Sequence, residues 1–336
     1  MSENNLNKRK SDHIELAFQS QLTENDDRFI YEPLFCESPK KDFTLPINIA
    51  NKVMNYPLWI SSMTGGAEKA GEINKNLALV AAKFKLGMGL GSCRPVLENP
   101  SSASDFAVRK YIGDQPLFVN LGIAQIEELI EKNQLNRIHE LIENLESDGL
   151  IIHINPLQEW FQPEGDHFHY SPLVTIKKVL DFLKYPIMVK EVGQGFGPKS
   201  MEALLKLPLE AVDFGSFGGT NFSLLENLRR DDVRKETWLC ATHVGHTAEE
   251  MSNWATEIID RAPAEIKTKT IIVSGGIKTF LDGYYHINKI PHQVMYAHAS
   301  QFLKYALLGE SALSDFVESQ IQGLSMAHSY LTVKKK

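Results

Sequence analysis

The sequence predicts an α/β protein in which eight parallel strands close into a TIM (β/α)8 barrel. Three observations support this prediction. The chain has 336 residues, which suits one large domain. Short apolar runs of strand length recur along it, and amphipathic stretches with helical spacing lie between most of them. Strands that are apolar on both faces and alternate with helices are typical of a parallel sheet covered by helices, and eight such units can close a barrel.

The eight predicted strands follow one another along the chain, and each gives way to glycine or polar residues. They are residues 57–63, 86–90, 116–120, 149–154, 186–190, 211–214, 270–274 and 293–296. A ninth apolar run, 238–242, competes for a place in the barrel. We interpret it as part of the long connection after the sixth strand, because a capped helix follows it directly.

Helices are predicted from apolar stripes and from capping signals. Residues 125–145 place most of their apolar side chains on one stripe and predict a helix. Thr247-Ala248-Glu249-Glu250 has the Thr-x-x-Glu form of a capping box and predicts a helix through Ile259. Near the start of the chain, Ser11 or Asp12 is expected to cap a short helix.

Composition narrows the possible functions. The net charge of -7 argues against a nucleic-acid-binding face, which would be basic. The chain has three cysteines, an odd number, and they lie far apart at Cys36, Cys93 and Cys240. This pattern predicts no disulfide framework and fits a reducing cytoplasm. No apolar run approaches the roughly 18 residues of a membrane span, and the polar start does not resemble a secretory signal. We therefore expect a cytoplasmic protein.

The segment 151–159 changes within a few residues from an apolar strand to a polar cluster. His153 and Asn155 lie two residues apart, so on a strand their side chains share one face. Pro156 ends the strand, and Gln158 and Glu159 follow on the loop. The cluster suits the wall of a site for a metal or a substrate. The residues alone leave open the alternative that these are core polar groups bonded to backbone.

Two glycine pairs follow the sixth and seventh predicted strands. Gly218-Gly219 and Gly275-Gly276 would expose backbone N–H groups to an anion, and barrel phosphate sites commonly use these loops. Two tight turns would explain the glycines, but they would not explain Lys190, which ends an apolar strand and needs an anionic partner. A flavin would supply both anions, through its reduced ring and its phosphate.

Arg9, Lys10 and Arg94 are expected to bind a second anion. They could bind a diphosphate if residues 1–45 fold over the mouth of a barrel formed by 46–330. Glu159 could then hold Mg²⁺ on the same oxygens, because Mg²⁺ is typically held by one or two carboxylates plus substrate phosphates. For the basic run at Lys8 to Lys10, a solvated tail is the alternative.

Together these motifs resemble the type 2 isopentenyl diphosphate isomerases, which are flavoenzymes with a TIM barrel. The resemblance runs from Arg9 to about Phe302. Its discriminating parts are the Arg-Lys-x-x-His start and the His-x-Asn-x-x-Gln-Glu segment. The Ser-Gly-Gly and Gly-Ser pieces are shared with other FMN barrels and therefore indicate the cofactor only. The matching pieces are Arg9-Lys10-x-x-His13, Ser61 to Gly66, Gly91-Ser92-x-Arg94, Asn120 to Gly122, His153 to Glu159, Lys190-Glu191, Gly218 to Thr220 and Ser274 to Ile277.

The resemblance implies interconversion of isopentenyl and dimethylallyl diphosphate with reduced FMN and Mg²⁺, with NADPH serving only to reduce the flavin. It implies catalytic roles for Gln158 and His153, magnesium at Glu159, and a homo-oligomer, either a tetramer or an octamer. The residues implied to bind substrate are Arg9, Lys10, His13, Arg94, His153, Asn155 and Gln158. The residues implied to bind FMN are Ser62, Met63, Thr64, Ser92, Asn120, Lys190, Thr220, Gly275, Gly276 and Ala297.

Two other functions stay open at the level of the sequence. An FMN-dependent 2-hydroxy acid oxidase would need a His–Asp base pair, for which His243 and His246 are candidates. A degenerate flavin-binding scaffold would fit the departures from the family pattern at Lys278, in 280–292 and in 297–299.

Overall fold

The computed structural model describes residues 3–62 and 69–334, apart from the side chains of residues 3–7 and Pro100. Eight parallel strands, β4 to β11, close into the predicted barrel, in the order β4-β5-β6-β7-β8-β9-β10-β11 and back to β4. The barrel strands are β4 Leu58–Ile60, β5 Gly87–Ser92, β6 Leu117–Gly122, β7 Gly149–Ile154, β8 Ile187–Glu191, β9 Ala211–Asp213, β10 Thr270–Val273 and β11 Val294–His298. The other strands are β1 Phe29–Tyr31, β2 Ile47–Ile49, β3 Lys52–Met54 and β12 Leu331–Val333.

Helices follow the barrel strands and cover the barrel, and one further helix lies in the exposed segment before it. They are α1 Glu3–Leu16, α2 Ala70–Phe84, α3 Arg94–Glu98, α4 Arg109–Ile112, α5 Ile123–Glu131, α6 Asn136–Asn144, α7 Pro156–Phe161, α8 Pro172–Phe182, α9 Pro198–Leu205, α10 Phe222–Arg229, α11 Arg234–Thr237, α12 Ala248–Arg261, α13 Phe280–Lys289, α14 Ser300–Ala306 and α15 Glu310–Tyr330. Within the described ranges, no helix is long and apolar enough to cross a membrane.

The connection between β9 and β10 agrees with the sequence prediction. The apolar run 238–242 lies outside the barrel, largely in a 3-10 segment at Leu239–His243. Helix α12 begins after Thr247, and both halves of the capping box are formed with Glu250. The Thr247 hydroxyl accepts the Glu250 backbone N–H at 3.3 Å, and the Glu250 carboxylate accepts the Thr247 backbone N–H at 2.8 Å.

Two helix predictions need correction. The stretch 125–145 is not one helix, because α5 ends at Glu131 and α6 begins at Asn136. Asn133, with φ of 54°, lies in the left-handed region that commonly terminates helices. Ser11 and Asp12 do not cap a helix, because they lie inside α1. The Ser11 hydroxyl instead donates to Glu15 one turn later, at 3.2 Å.

The N-terminal segment approaches the barrel body at β1, which pairs antiparallel with β12. Arg28 precedes β1 and donates to Asp282 at the start of α13, at 2.8 Å. Before it, residues 8–27 are exposed except for Asp12. The prediction that residues 1–45 close over the active site therefore stays a prediction.

The inside of the barrel carries an apolar layer that a small hairpin closes from below. Inward-facing side chains from seven strands form the layer, and Ile47, Ile49 and Met54 of the β2–β3 hairpin pack against it. The layer consists of Trp59, Phe118, Ile151, Met188, Ala211, Ile272, Met295 and Ala297. The Ala50 backbone N–H donates to Glu210 just before β9, and Gln293 just before β11 donates to the Asn48 carbonyl, so the hairpin covers the amino-terminal end. Within the described residues, the barrel therefore opens at its carboxyl-terminal end.

Candidate active site

A polar layer lies directly above the apolar layer, at the carboxyl ends of the strands. Successive side chains of a strand alternate between its faces, so the residue two positions after each apolar one also points into the barrel. In six strands that residue is polar. The pairs are Trp59 and Ser61, Phe118 and Asn120, Ile151 and His153, Met188 and Lys190, Ala211 and Asp213, and Ile272 and Ser274. The predicted barrel mouth therefore exists as a defined ring of polar groups.

Lys190 occupies the centre of this ring. The strand register places it beside His153 on one side and Asp213 on the other. Its ammonium donates to the Glu191 backbone carbonyl at 3.0 Å, and no described carboxylate lies within 4.0 Å of it. A buried cation without an ion pair is costly. Lys190 is therefore suited to an anionic ligand in the mouth.

Asp213 is a site residue that the sequence analysis missed. It accepts hydrogen bonds from the Ser274 hydroxyl and, at 3.3 Å, from the Ser61 hydroxyl. Burial raises the pKa of its carboxyl group, against the opposing effect of the Lys190 charge. Both Asp213 and Lys190 are charged residues at the end of an apolar strand. This pattern indicates a site residue in the sequence for Asp213 as it does for Lys190.

Glu191 points to the opposite side of β8 from Lys190 and organises the loop that follows. One carboxylate oxygen, Oε2, accepts the backbone N–H groups of Gly193, Gln194 and Gly195 at 2.7, 2.6 and 2.7 Å. Burial raises the pKa of Glu191 to about 7, although these three hydrogen bonds oppose that shift. Glu191 thus positions the loop rather than the ligand.

His153 is held by Asn120 on the neighbouring strand. Its Nδ1 atom lies 2.8 Å from the Asn120 Oδ1 atom. Burial, together with the nearby Lys190 charge, lowers the pKa of His153 to about 3. The imidazole is therefore neutral at physiological pH, with Nδ1–H donating to the amide oxygen and Nε2 left as an acceptor.

The segment after His153 forms a connected polar network on α7. Asn155 donates through Nδ2 to Gln158 at 3.1 Å and to Glu159 at 2.7 Å, while its own Oδ1 is buried and has no partner among the described residues. The second oxygen of Glu159 accepts the Asp166 backbone N–H at 2.9 Å. Gln158 also reaches Glu226, at 3.5 Å. Asp166 lies seven residues after Glu159, whereas Glu226 is 68 residues from Gln158, and no local pattern predicts either contact.

The mouth contains two adjoining cavities of about 50 and 120 Å³. Both are bounded by Ser62, Lys190, Val192 and Phe222. The hydroxyl oxygen of Ser62 is buried and has no partner in the described part of the chain, so it is available to a ligand. The smaller cavity also touches Ser61, Thr220, Ser274 and Gly275, and the larger also touches Ser92, Asn120, His153 and Gln158.

The two glycine pairs face each other beside the smaller cavity. A Cβ atom at Gly218 would lie 3.2 Å from Gly276 Cα, and one at Gly219 would lie 3.0 Å from Gly275 Cα. At Gly275, with φ of +78°, a Cβ would lie 2.0 Å from the Ser216 carbonyl oxygen. Side chains are therefore excluded from both loops, which leaves the backbone as their ligand-facing surface.

Several predicted site residues are not brought to the mouth. Arg9, Lys10 and His13 are exposed on α1 and have no hydrogen bond or ion pair with a described barrel residue. Arg94 lies at the rim, 46% exposed, and pairs with Glu98 and Asp166. Met63 and Thr64 lie outside the described residues.

The structure places Ala297 below the cavities of the mouth, and its role as a cofactor contact stays a prediction. It belongs to the apolar layer and lines neither cavity. Ala299, two residues later and hence one layer higher, lines the smaller cavity. Ala299 is therefore a further candidate contact on the same strand end.

The histidines proposed for an oxidase lie apart from this ring. His243 is exposed in the 3-10 segment, and His246 packs its ring against Trp254 at 5.0 Å. Neither lines either cavity. Inside the mouth, His153 pairs with the amide of Asn120 and not with a carboxylate.

No protein-family model matches the chain. Similarity to individual curated proteins is nevertheless extensive. The chain is 35% identical over 317 residues to an isopentenyl-diphosphate delta-isomerase of Nostoc sp., covering 92% of this chain and 87% of that protein. It is 33% identical over 327 residues to the Rickettsia felis protein of the same name, covering 95% and 90%.

Solved structures share the fold at low identity. A mandelate oxidase with an FMN adduct superimposes with a TM-score of 0.55 at 12% identity, covering 92% of this chain and 89% of that one. A flavocytochrome b2 variant with bound pyruvate gives 0.60 at 13% identity, covering 89% and 71%.

Proposed function

The chain belongs to the isopentenyl-diphosphate delta-isomerases, in the type 2 branch that its motifs resemble, and we propose that it interconverts isopentenyl and dimethylallyl diphosphate. The observation that carries the proposal is the similarity of more than 30% over nearly the whole chain. The polar layer supports it, because a neutral imidazole, an amide and an unpaired ammonium surround one mouth.

We propose FMN as the cofactor. The fit rests on three features of the described residues: the Lys190 ammonium without an ion pair, the buried Ser62 hydroxyl without a hydrogen-bond partner, and the two glycine loops that exclude side chains. Ser62, Ser92, Asn120, Lys190, Thr220, Gly275 and Gly276 would hold it, together with Met63 and Thr64. Reduced FMN would supply an electron-rich ring that stabilises cationic character beside it and can exchange a proton. NADPH is the proposed reductant of the flavin.

Magnesium is proposed at Glu159. Its carboxylate is nearly buried and oriented by Asn155 and by the Asp166 backbone, and an ionised carboxylate still has acceptor capacity after one hydrogen bond to each oxygen. The unpartnered Asn155 Oδ1 is a further oxygen of the kind that hard cations prefer. Arg94, Arg9, Lys10 and His13 would contact the diphosphate, which requires α1 to approach the mouth.

The isomerisation adds a proton to the terminal alkene carbon and removes one from C2, so no atoms or electrons are gained or lost overall. His153 is neutral, so its Nε2 can accept a hydrogen bond at the substrate. Gln158 bears an amide and is not a strong base, so its role is to orient the groups between which the proton moves. Asn120 fixes the tautomer and orientation of His153.

The test is turnover under anaerobic conditions. The purified protein, loaded with FMN, reduced by dithionite or NADPH and supplied with Mg²⁺, should convert isopentenyl diphosphate to its allylic isomer, as followed by NMR. Absence of turnover in protein that retains reduced FMN would contradict the proposal. Net flavin reduction by an added 2-hydroxy acid would instead favour an oxidase. We also propose a cytoplasmic homo-oligomer, and sedimentation equilibrium would give its size.

A further inference from the structure

We propose that Glu127, Glu131 and His169 bind a divalent transition-metal cation, such as Zn²⁺, at a site separate from the barrel mouth. Glu127 and Glu131 lie on α5, and His169 lies in the segment that precedes α8. Carboxylate oxygens of the two glutamates and an imidazole nitrogen of His169 all lie within 4.8 Å of one another. None of the three lines the cavities of the barrel mouth.

The backbone fixes this arrangement. Residues four apart on a helix are neighbours on its surface, so Glu127 and Glu131 present their carboxylates side by side. The Oε1 atom of Glu127 accepts the backbone N–H groups of His169 at 2.5 Å and Tyr170 at 3.2 Å. These two bonds attach the segment to α5 and bring the imidazole next to both carboxylates.

A buried oxygen at this site has no partner. Glu127 is only 3% exposed, and its Oε2 atom has no hydrogen-bond partner among the described residues. Oε1 is already occupied by the two backbone groups, so Oε2 is the atom left to bind a ligand. An ionised carboxylate in this state pays a large desolvation cost, which a bound cation would offset.

The local charges favour a cation as well. In the described part of the chain, neither Glu127 nor Glu131 has a lysine, arginine or histidine ion pair within 4.0 Å. The nearby Lys132 pairs with Glu128 instead. Glu131 is also the last residue of α5, where the negative end of the helix dipole disfavours another negative charge.

The ligand types distinguish this site from the one proposed at Glu159. Imidazole suits Zn²⁺ and other late first-row metals, whereas Mg²⁺ prefers oxygen ligands alone. Two carboxylates and one imidazole provide three protein ligands, and water can complete a tetrahedral Zn²⁺ site. The cluster is therefore matched to Zn²⁺ and not to the magnesium of the substrate site.

A metal here would anchor a segment that also reaches the mouth. The segment 162–171 contains Asp166, whose backbone holds Glu159 and whose side chain contacts Arg94 at 3.1 Å and Gln125 at 2.9 Å. Gln125 and Glu127 both belong to α5. The metal would thus hold His169, near the end of the segment, against α5. Asp166 of the same segment already contacts α5 through Gln125. This inference does not depend on the proposed isomerase activity.

The test is metal binding to the full, untagged protein after treatment with a chelator. Equilibrium dialysis against Zn²⁺, with the metal measured by mass spectrometry, should give one tight site per chain. Glu131→Gln and His169→Asn change exposed side chains, and each should weaken binding about tenfold or more, since even loss of a supporting group around a metal typically costs that much. Glu128→Gln, on the same helix but outside the cluster, should bind as the wild type does.

Two further measurements separate the possible outcomes. Glu159→Gln should leave the Zn²⁺ site intact, which distinguishes it from the magnesium site. Co²⁺ in place of Zn²⁺ should give a visible d–d absorption that His169→Asn abolishes. Wild-type protein that binds no Zn²⁺ would overturn the proposal, and so would undiminished binding by both Glu131→Gln and His169→Asn.

Discussion

The Nδ1 atom of His153 lies 2.8 Å from the Oδ1 atom of Asn120, at the carboxyl ends of two adjacent strands. An amide oxygen can only accept, so this contact assigns the proton to Nδ1. The Lys190 ammonium on the next strand, together with burial, disfavours a second proton on the ring. The pair therefore presents a neutral imidazole with a fixed tautomer to the barrel mouth.

His153 is expected to stay neutral until strongly acidic pH. Its pKa is lowered from 6.5 to about 3, so the unfolded chain takes up a proton that the folded chain does not. The free energy of unfolding should therefore fall as pH drops from 6.5 towards 3, and His153→Gln should remove that part of the decrease. Imidazole ¹⁵N shifts and denaturant titrations at several pH values would measure both effects. A protonated His153 at pH 6 would refute the assignment.

Gln158→Ala should retain FMN and lose turnover. The side chain lies at the larger cavity and orients reacting groups, and such contributions are typically worth about 10²–10⁴ in rate. Flavin absorbance and steady-state kinetics would be measured on the same preparation. Gln162→Ala is the matched control, because Gln162 follows α7 and its side-chain amide donates to Glu164 at 3.3 Å, outside both cavities. Equal losses in the two variants would argue against a specific role for Gln158.

Lys190→Ala should weaken FMN retention. Among the described residues the ammonium has no carboxylate within 4.0 Å, and hydrogen bonds to charged groups contribute about 1.5–3 kcal/mol, which corresponds to roughly a tenfold or greater loss of affinity. Fluorescence titration of apoprotein with FMN would measure this loss. Lys199→Ala, which changes an exposed lysine of α9, should bind FMN normally. Unchanged affinity in Lys190→Ala would place the flavin elsewhere.

Glu191 should make the protein less stable as pH rises. Its pKa is raised from 4.5 to about 7, so the folded state holds a proton that the unfolded state has already released. The resulting stability is fully present below pH 4.5 and is lost as pH rises through 7. Glu191→Gln should flatten this dependence in urea unfolding. Glu202→Gln should not, because Lys206 lowers the pKa of Glu202 and its contribution changes only below 4.5.

Gly283→Ala should destabilise the protein although alanine is the better helix former. A Cβ at this position on α13 would lie 2.5 Å from the Tyr296 ring. Overpacking typically costs about 1–3 kcal/mol, which exceeds the ~1 kcal/mol that helix propensity would contribute. Urea unfolding would measure the change. Adding Tyr296→Leu should restore part of the stability, and a stabilised single variant would contradict the packing argument.

The barrel could be predicted from the sequence because its strands are buried on both faces. Each of the eight predicted runs overlaps an observed strand, and the run 238–242 lies outside the barrel as expected. The polar strand ends could be predicted for the same reason, since one rule of alternation places His153 and Lys190 in the mouth. That rule also covers Asp213, but a single carboxylate at the end of a three-residue strand was not distinguished from an ordinary turn residue.

Other features depend on interactions that no local pattern encodes. The break between α5 and α6 follows from the left-handed backbone of Asn133. The apolar stripe continues across this break, so the spacing of apolar residues does not reveal it. Asp166 reaches Arg94 across 72 positions of sequence, and Glu226 reaches Gln158 across 68. The hairpin beneath the barrel has strands of only three residues, too short to give a clear period.

The hairpin that closes the lower end of the barrel limits where protons can come from. Ile47, Ile49 and Met54 pack against the apolar layer, so within residues 3–62 and 69–334 the polar layer above it meets solvent through the mouth. A ligand that covers this opening would isolate the exchangeable protons of the polar layer, such as those of His153 and Lys190, from bulk water. The same few protons would then be reused within one binding event. Slow incorporation of deuterium from heavy water, relative to turnover, would be the signature of such a confined reservoir.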